Sequence, residues 1–153
     1  MRLHILAIGR LKPGPELTLY QHYAARLAWP LAVKEIVLRP AGPPEQVRSR
    51  EGAALLAALP PGARVVALDG KGELLTSEGL AARIGAWRDS GVDCVAFLIG
   101  GAEGLDGEVR NRADLLLAFG RVTWPHLLVR GMLAEQLYRA QQILSGHPYH
   151  RGA

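Results

Sequence analysis

Short apolar runs alternate with helix-patterned runs along the whole of this 153-residue chain. Residues 2–9 (RLHILAIG) are apolar and are punctuated by Gly9 and Pro13, as a buried strand would be. Residues 15–28 place Leu19, Tyr23, Ala24 and Leu27 on one helical face, with Pro15 in the first turn. A second strand over 33–40 is stopped by Pro40, and a helix over 43–59 is closed by Pro60-Pro61-Gly62. A third strand spans 63–70. The helix predicted at 76–91 has a Thr/Ser-Glu start signal and a terminal glycine. Residues 92–100 form the fourth strand, 106–112 a short polar helix and 114–120 the fifth strand. A long amphipathic helix over 126–144 precedes the tail SGHPYHRGA. This alternation predicts an α/β fold, a mainly parallel sheet with helices on both faces. No repeat, linker or low-complexity stretch interrupts it, so residues 1–153 read as a single domain.

The apolar runs are too short and too often broken by charge to span a bilayer, so no membrane partner is expected. The opening MRLHILAIGRLKPG has an apolar core like a leader. That core is short, contains His4, lacks a small-residue cleavage site and ends at Arg10 and Lys12, so it reads as a buried first strand. Cys94 is the only cysteine, which leaves no intramolecular disulfide or thiolate cluster and favours the reducing cytoplasm. The net charge is +4, and lysine occurs only at Lys12, Lys34 and Lys71, so nearly all the positive charge is arginine. Arginine forks suit phosphate. These residues are scattered, however, and a solvated surface accounts for most of them equally well, so composition alone leaves nucleic-acid binding open.

Ligands of parallel sheets settle beyond the carboxyl ends of the strands. Two glycine-bearing loops lie there: FLIGGAEG after the fourth strand and GRVTWP after the fifth. The turn after the first strand, GRLKPGP, has prolines where a dinucleotide fingerprint needs free backbone, and no stretch supplies a P-loop. Pyrophosphate cradling is therefore disfavoured, and GGAEG is either a plain turn or a loop that lets a ligand approach backbone. Glu135 and Arg139, four residues apart, read as a surface ion pair. Chain ends are usually frayed and polar. HPYHR instead gathers His147, Tyr149, His150 and Arg151, a set suited to touching a substrate. The two histidines have no evident carboxylate or cysteine partner, so no metal is expected.

Taken together, LIGGAEG, TWPHLLVRGMLAEQLYRA and the terminal HPYHR resemble the ribosomal RNA large subunit methyltransferase H family. Its members are small proteins of the SPOUT superfamily of knotted methyltransferases. LHILAIGRLK and VVALDGKGE extend the resemblance over essentially the whole chain. The resemblance implies a C-terminal trefoil knot, which pattern reasoning would not propose because knots are nearly absent from proteins. It implies S-adenosylmethionine as cofactor, with contacts at Leu68, Gly100, Gly120, Arg121, Val122, Thr123, Trp124 and Pro125. It also implies methyl transfer to N3 of a pseudouridine in 23S ribosomal RNA of the assembled ribosome, by a homodimer, with no role for DNA. Ala102 stands where many relatives carry proline, Trp124 replaces a smaller apolar residue, Arg121 brings a charge into the pocket loop, and Gly152-Ala153 extend the usual end.

An imide nitrogen must lose its proton around the time it attacks a methyl group, so a base and a cation near the developing anion are needed. His150 and Arg151 match those two roles, and Tyr149 is suited to stack on a base. Arg130, Arg139 and Arg151 are expected to engage RNA phosphates. Methylation of a transfer-RNA base, a non-catalytic ribosome-binding module and an unrelated small-molecule α/β enzyme are the competing readings.

Overall fold

The structure is a computed structural model that describes residues 1–39 and 41–151. Five parallel strands, β1 (Arg2–Ile8), β2 (Leu31–Ile36), β3 (Arg64–Glu73), β4 (Cys94–Ile99) and β5 (Leu115–Leu117), form one sheet in the order β2-β1-β4-β3-β5. β4 lies at its centre and all six of its residues are buried. A strand covered on both faces needs a continuous apolar run, and CVAFLI supplies it.

The helices are α1 (Pro15–Ala24), α2 (Pro44–Ala57), α3 (Ser77–Asp89), α4 (Gly107–Arg112) and α5 (His126–Leu144), followed by a single 3-10 turn, Pro148–His150. Side-chain alternation along the strands sorts the core into two layers. Leu3, Ile5, Val95 and Phe97 pack with Leu80 and Ile84 of α3 and Leu133 and Leu137 of α5. Leu6, Ile8, Val65 and Leu98 pack instead with Leu55 of α2 and Val109 of α4. Each fully buried side chain of this size contributes roughly 1.5–3 kcal/mol. No helix among the described residues is long and apolar enough to cross a membrane.

Element boundaries differ from the sequence reading in instructive places. α1 stops at Ala24; the Arg26 and Leu27 amides then tighten onto carbonyls three residues back, and the Ala28 amide donates to Gln141 Oε1 of α5 at 2.7 Å. A side chain from the far end of the chain thus caps the exit. β2 begins at Leu31 and ends at Ile36; Pro40, read as its terminator, lies outside the described residues. α3 keeps its expected start, with the Gly79 amide donating to Thr76 Oγ1 at 2.9 Å. β3 runs past Gly70 to Glu73 through an irregularity, with Leu68 and Glu73 both opposite Leu117. β5 keeps only three residues, because after Ala118 donates to the Glu73 carbonyl the chain leaves the sheet.

Gly72 makes that irregularity possible. A Cβ there would stand 2.6 Å from the Leu116 carbonyl carbon and 2.8 Å from the Leu117 nitrogen, both backbone atoms that cannot rotate away. Gly72→Ala is expected to push β5 off β3 at a cost of about 1–3 kcal/mol. Thermal unfolding checks this, and an unshifted midpoint would mean the edge strand yields freely.

Candidate active site

β4, β3 and β5 are neighbours and parallel, so the loops that follow them share one edge of the sheet. Leu68 lies level with Leu117 at the β3–β5 end, Gly100 follows the last residue of β4, and residues 120–125 connect β5 to α5. With strands roughly 4.8 Å apart, the exits of β4 and β5 stand about 10 Å from one another. Leu68, Gly100, Gly120, Arg121, Val122, Thr123, Trp124 and Pro125 therefore gather along one edge.

The two glycine loops differ in character. After Gly100 the chain folds back at once, with the Gly104 amide donating to the Gly101 carbonyl at 3.1 Å. A Cβ at Gly100 would meet Gly104 O at 2.9 Å, so the turn itself demands the glycine. Gly120 has φ +104°, and no atom lies within 4 Å of where its Cβ would be. That backbone is in a region glycine favours and faces open space. Among the described residues, no acceptor engages the backbone amides of 120–124. The loop is held by side chains instead: the Trp124 indole N–H donates to the Phe119 carbonyl at 2.9 Å, and Arg121 donates to the Gly70 carbonyl. Arg121 was expected to bring charge into the pocket loop; it ties that loop to the end of β3.

Beside the loop opens a cavity of about 520 Å³, lined by Tyr23, Leu75, Phe119, Gly120, Glu135 and Gln136 among others. Of the residues expected to hold the cofactor, Gly120 lines it, whereas Leu68, Gly100, Arg121, Val122, Thr123, Trp124 and Pro125 do not. The C-terminal tail reaches its rim. Glu135 Oε1 accepts from the Tyr149 hydroxyl at 3.2 Å and from Arg139 Nε at 2.9 Å. The Arg139 guanidinium lies over the Tyr149 ring, 4.9 Å from its centroid, and Tyr138 meets that ring edge-on at 4.7 Å. Glu135 and Arg139, read from sequence as a surface pair, are only 18% and 15% exposed and clamp the tail. Burial, reinforced by Glu135 and Tyr23, pushes the Tyr149 hydroxyl up to about 12, so at neutral pH it remains a donor.

His150 bridges Arg139 and α3. Its Nδ1 is 3.0 Å from Arg139 Nη1 and its Nε2 is 2.6 Å from Glu78 Oε1. A guanidinium only donates, so Nδ1 must accept and the ring proton sits on Nε2, facing Glu78. The lone pair a base would use is occupied while Arg139 holds it. The His150 contact, then backbone bonding, hold the exposed Glu78 carboxyl below its ordinary range. Arg151 is exposed and its amide closes the last turn on the Pro148 carbonyl.

The sequence reading missed Glu78, Ser77 and Gln136. Ser77 Oγ donates to Gln136 Oε1 and Gln136 Nε2 to Glu135 Oε2, both at 2.7 Å, which links the start of α3 to the clamp. Only the helix-start pattern at Thr76-Ser77-Glu78 hinted at them. Arg130, expected to engage RNA phosphate, lies elsewhere. Its side chain is 3% exposed, 2.6 Å from Glu35 Oε2 and bonded to the Gly9 carbonyl, so it faces the molecule's interior and no RNA phosphate. Burial alone would raise the Glu35 carboxyl, but the Leu11 amide and Arg130 outweigh it and hold the group below the usual carboxylate range.

Residues 1–150 match the family model described as "Predicted SPOUT methyltransferase". The ribosomal RNA large subunit methyltransferase H of Rhodospirillum centenum is 59% identical over 151 residues, covering 99% of both chains. That of Paramagnetospirillum magneticum is 58% identical over 153 residues, again covering 99% of both. Among solved structures, the backbone is similar to that of the SpoU methyltransferase AviRb from Streptomyces viridochromogenes, crystallised in complex with AdoMet. That match has a TM-score of 0.51 and 15% identity, over 93% of this chain and 58% of the other. A probable methylase family protein from Haemophilus influenzae gives a TM-score of 0.57 at 10% identity, over 94% of this chain and 66% of the other. These structural likenesses speak to the fold, and the sequence matches decide the family: the chain belongs to the ribosomal RNA large subunit methyltransferase H family of SPOUT methyltransferases.

Proposed function

We propose that this chain transfers a methyl group from S-adenosylmethionine to N3 of a pseudouridine in 23S ribosomal RNA of the assembled large subunit. It does so as a homodimer of single domains spanning 1–153, each with its C-terminal segment threaded as a trefoil knot. The names of its relatives, large-subunit ribosomal RNA methyltransferases, support the substrate class. The observation that carries the cofactor reading is the 120–124 loop, whose amides lack internal acceptors and whose open Gly120 lies on a cavity of about 520 Å³. That volume suits a nucleoside-sized ligand.

When bound, S-adenosylmethionine supplies an electrophilic methyl group for in-line displacement. The chain's own groups do the rest. The backbone amides of residues 120–124 would hold the adenosine, with Leu68 and Gly100 at the neighbouring strand ends. Tyr149 stacks on the target base, and Arg151 lies near the imide oxygens to stabilise the developing anion. His150 takes the N3 proton once substrate displaces Arg139 from Nδ1, a release that its present hydrogen bonding requires.

Mass spectrometry of 23S ribosomal RNA, with labelled cofactor offered to ribosomes and to transfer RNA in parallel, tests the reading. Label in transfer RNA alone, or in neither, defeats it. His150→Ala is expected to lower kcat by about 10²–10⁴-fold while calorimetric affinity for S-adenosylmethionine is unchanged. A kcat within error of wild type would remove His150 from the chemistry.

A further inference from the structure

A second cavity, of about 300 Å³, is lined by Leu38, Arg39 and Gly42, by the start of α2 and by Ala102 and Glu103 of the GGAEG turn. It shares no lining residue with the larger one. Its floor is Glu51. The Oε1 atom of Glu51 is buried and, among the described residues, has no hydrogen-bond partner. A Cβ on Gly101 would stand 3.1 Å from Glu51 Oε2 and 3.2 Å from Oε1, so any side chain at that position would crowd the carboxyl group. Desolvation, then repulsion from Glu103, raises the Glu51 pKa against the pull of Arg50.

Two arginines and the Glu103 carboxylate share the lining with apolar side chains. Arg39 and Arg50 are lining residues, and Arg50 donates to the Ala41 carbonyl at 3.2 Å and the Arg39 carbonyl at 2.9 Å, which ties both residues to α2. Arg48 stands at the turn, with Nη1 3.5 Å from the Glu103 carbonyl. A buried acceptor carboxyl calls for N–H donors on the ligand, and guanidinium groups at the mouth call for phosphate. A bare phosphate would be repelled by the floor, and a purely apolar group would leave Glu51 unpaired. An unstacked nucleotide satisfies both ends: carboxylates accept from base amino groups, and RNA is read by splaying single-stranded bases into such pockets.

We propose that this cavity is a recognition subsite for a nucleotide of the ribosomal RNA other than the one methylated, with its base N–H edge on Glu51 and its phosphates on Arg39 and the α2 arginines. This rests on the reading of the chain as a ribosomal RNA methyltransferase.

Steady-state methylation of ribosomal subunits by full-length Glu51→Leu and Arg39→Ala tests it. Each variant is expected to raise KM for subunits about tenfold or more, with kcat and calorimetric affinity for S-adenosylmethionine unchanged. Arg39→Ala should also flatten the salt dependence of KM. Thermal unfolding of Glu51→Leu should show no loss of stability, because the unpaired buried oxygen is removed together with the group that carried it. An unchanged KM in both variants overturns the subsite. So does saturable calorimetric binding of guanosine 5′-monophosphate to wild type but not to Glu51→Leu when the subunit KM is unmoved, since that assigns the cavity to a free nucleotide. A wild-type protein that methylates no ribosomal RNA overturns the functional reading beneath it instead.

Discussion

Glu35→Leu should lower the unfolding free energy by about 3–5 kcal/mol, more than Arg130→Met at about 1–3 kcal/mol. The two side chains form one ion pair, but their surroundings are unequal. Arg130 is 3% exposed, so without Glu35 it becomes a buried cation whose remaining hydrogen-bond partner among the described residues is the Gly9 carbonyl. Glu35 is 33% exposed and still accepts from the Leu11 amide at 2.7 Å, so without Arg130 it rehydrates. Replacing both should cost less than Glu35→Leu alone, because no stranded charge remains. For a chain of this length each kcal/mol moves the thermal midpoint by roughly 2–4 °C, so calorimetry resolves all three variants. The pH dependence has a definite sign. The folded Glu35 carboxyl is held below its ordinary value, so the pair stabilises above the unfolded-state pKa and loses that effect as pH falls through the folded one. The gap between wild type and Glu35→Leu should therefore close on the acid side. A gap that persists there, or equal losses from the two single variants, would refute the asymmetry.

Gly120→Val should weaken S-adenosylmethionine binding about a hundredfold. Gly120 sits at φ +104°, where a β-branched residue is strained by about 1–3 kcal/mol, and the new side chain would occupy the open space beside the unbonded amides. A loss near 3 kcal/mol corresponds to a little over two decades in Kd. Gly62 is the control: it also has positive φ (+72°) and open surroundings, but it lies between α2 and β3. Gly62→Val should cost stability and leave the affinity alone. Wild-type affinity in Gly120→Val, measured calorimetrically, would place the cofactor elsewhere.

What could be read from the sequence was what local pattern controls. CVAFLI announces a central strand because every one of its side chains is apolar and buried. The loops after β4 and β5 drew attention because a parallel sheet puts its ligand edge there, and the proposed cofactor residues came from family resemblance. The rest depends on distant partners. GKGE carries no strand signal, and it extends β3 only because Gly72 admits the backbone of β5. Arg130 looked like a surface cation because its partner Glu35 lies 95 residues away. Glu135 and Arg139 were visible as neighbours on a helix, but Tyr149 and His150, which turn the pair into a clamp, arrive only when the tail folds back. Glu78, 72 residues from His150, gave no sign of the contact at all.

The edge formed by β4, β3 and β5 also bears on how the protein is made. Translation delivers β1 to β4 first, enough for most of the sheet, while β5, the 120–125 loop and α5 emerge last. A nascent chain therefore leaves the face of Leu3, Ile5, Val95 and Phe97 partly bare until Leu133 and Leu137 of α5 arrive to cover it, and the proposed donor loop emerges in the same late stretch.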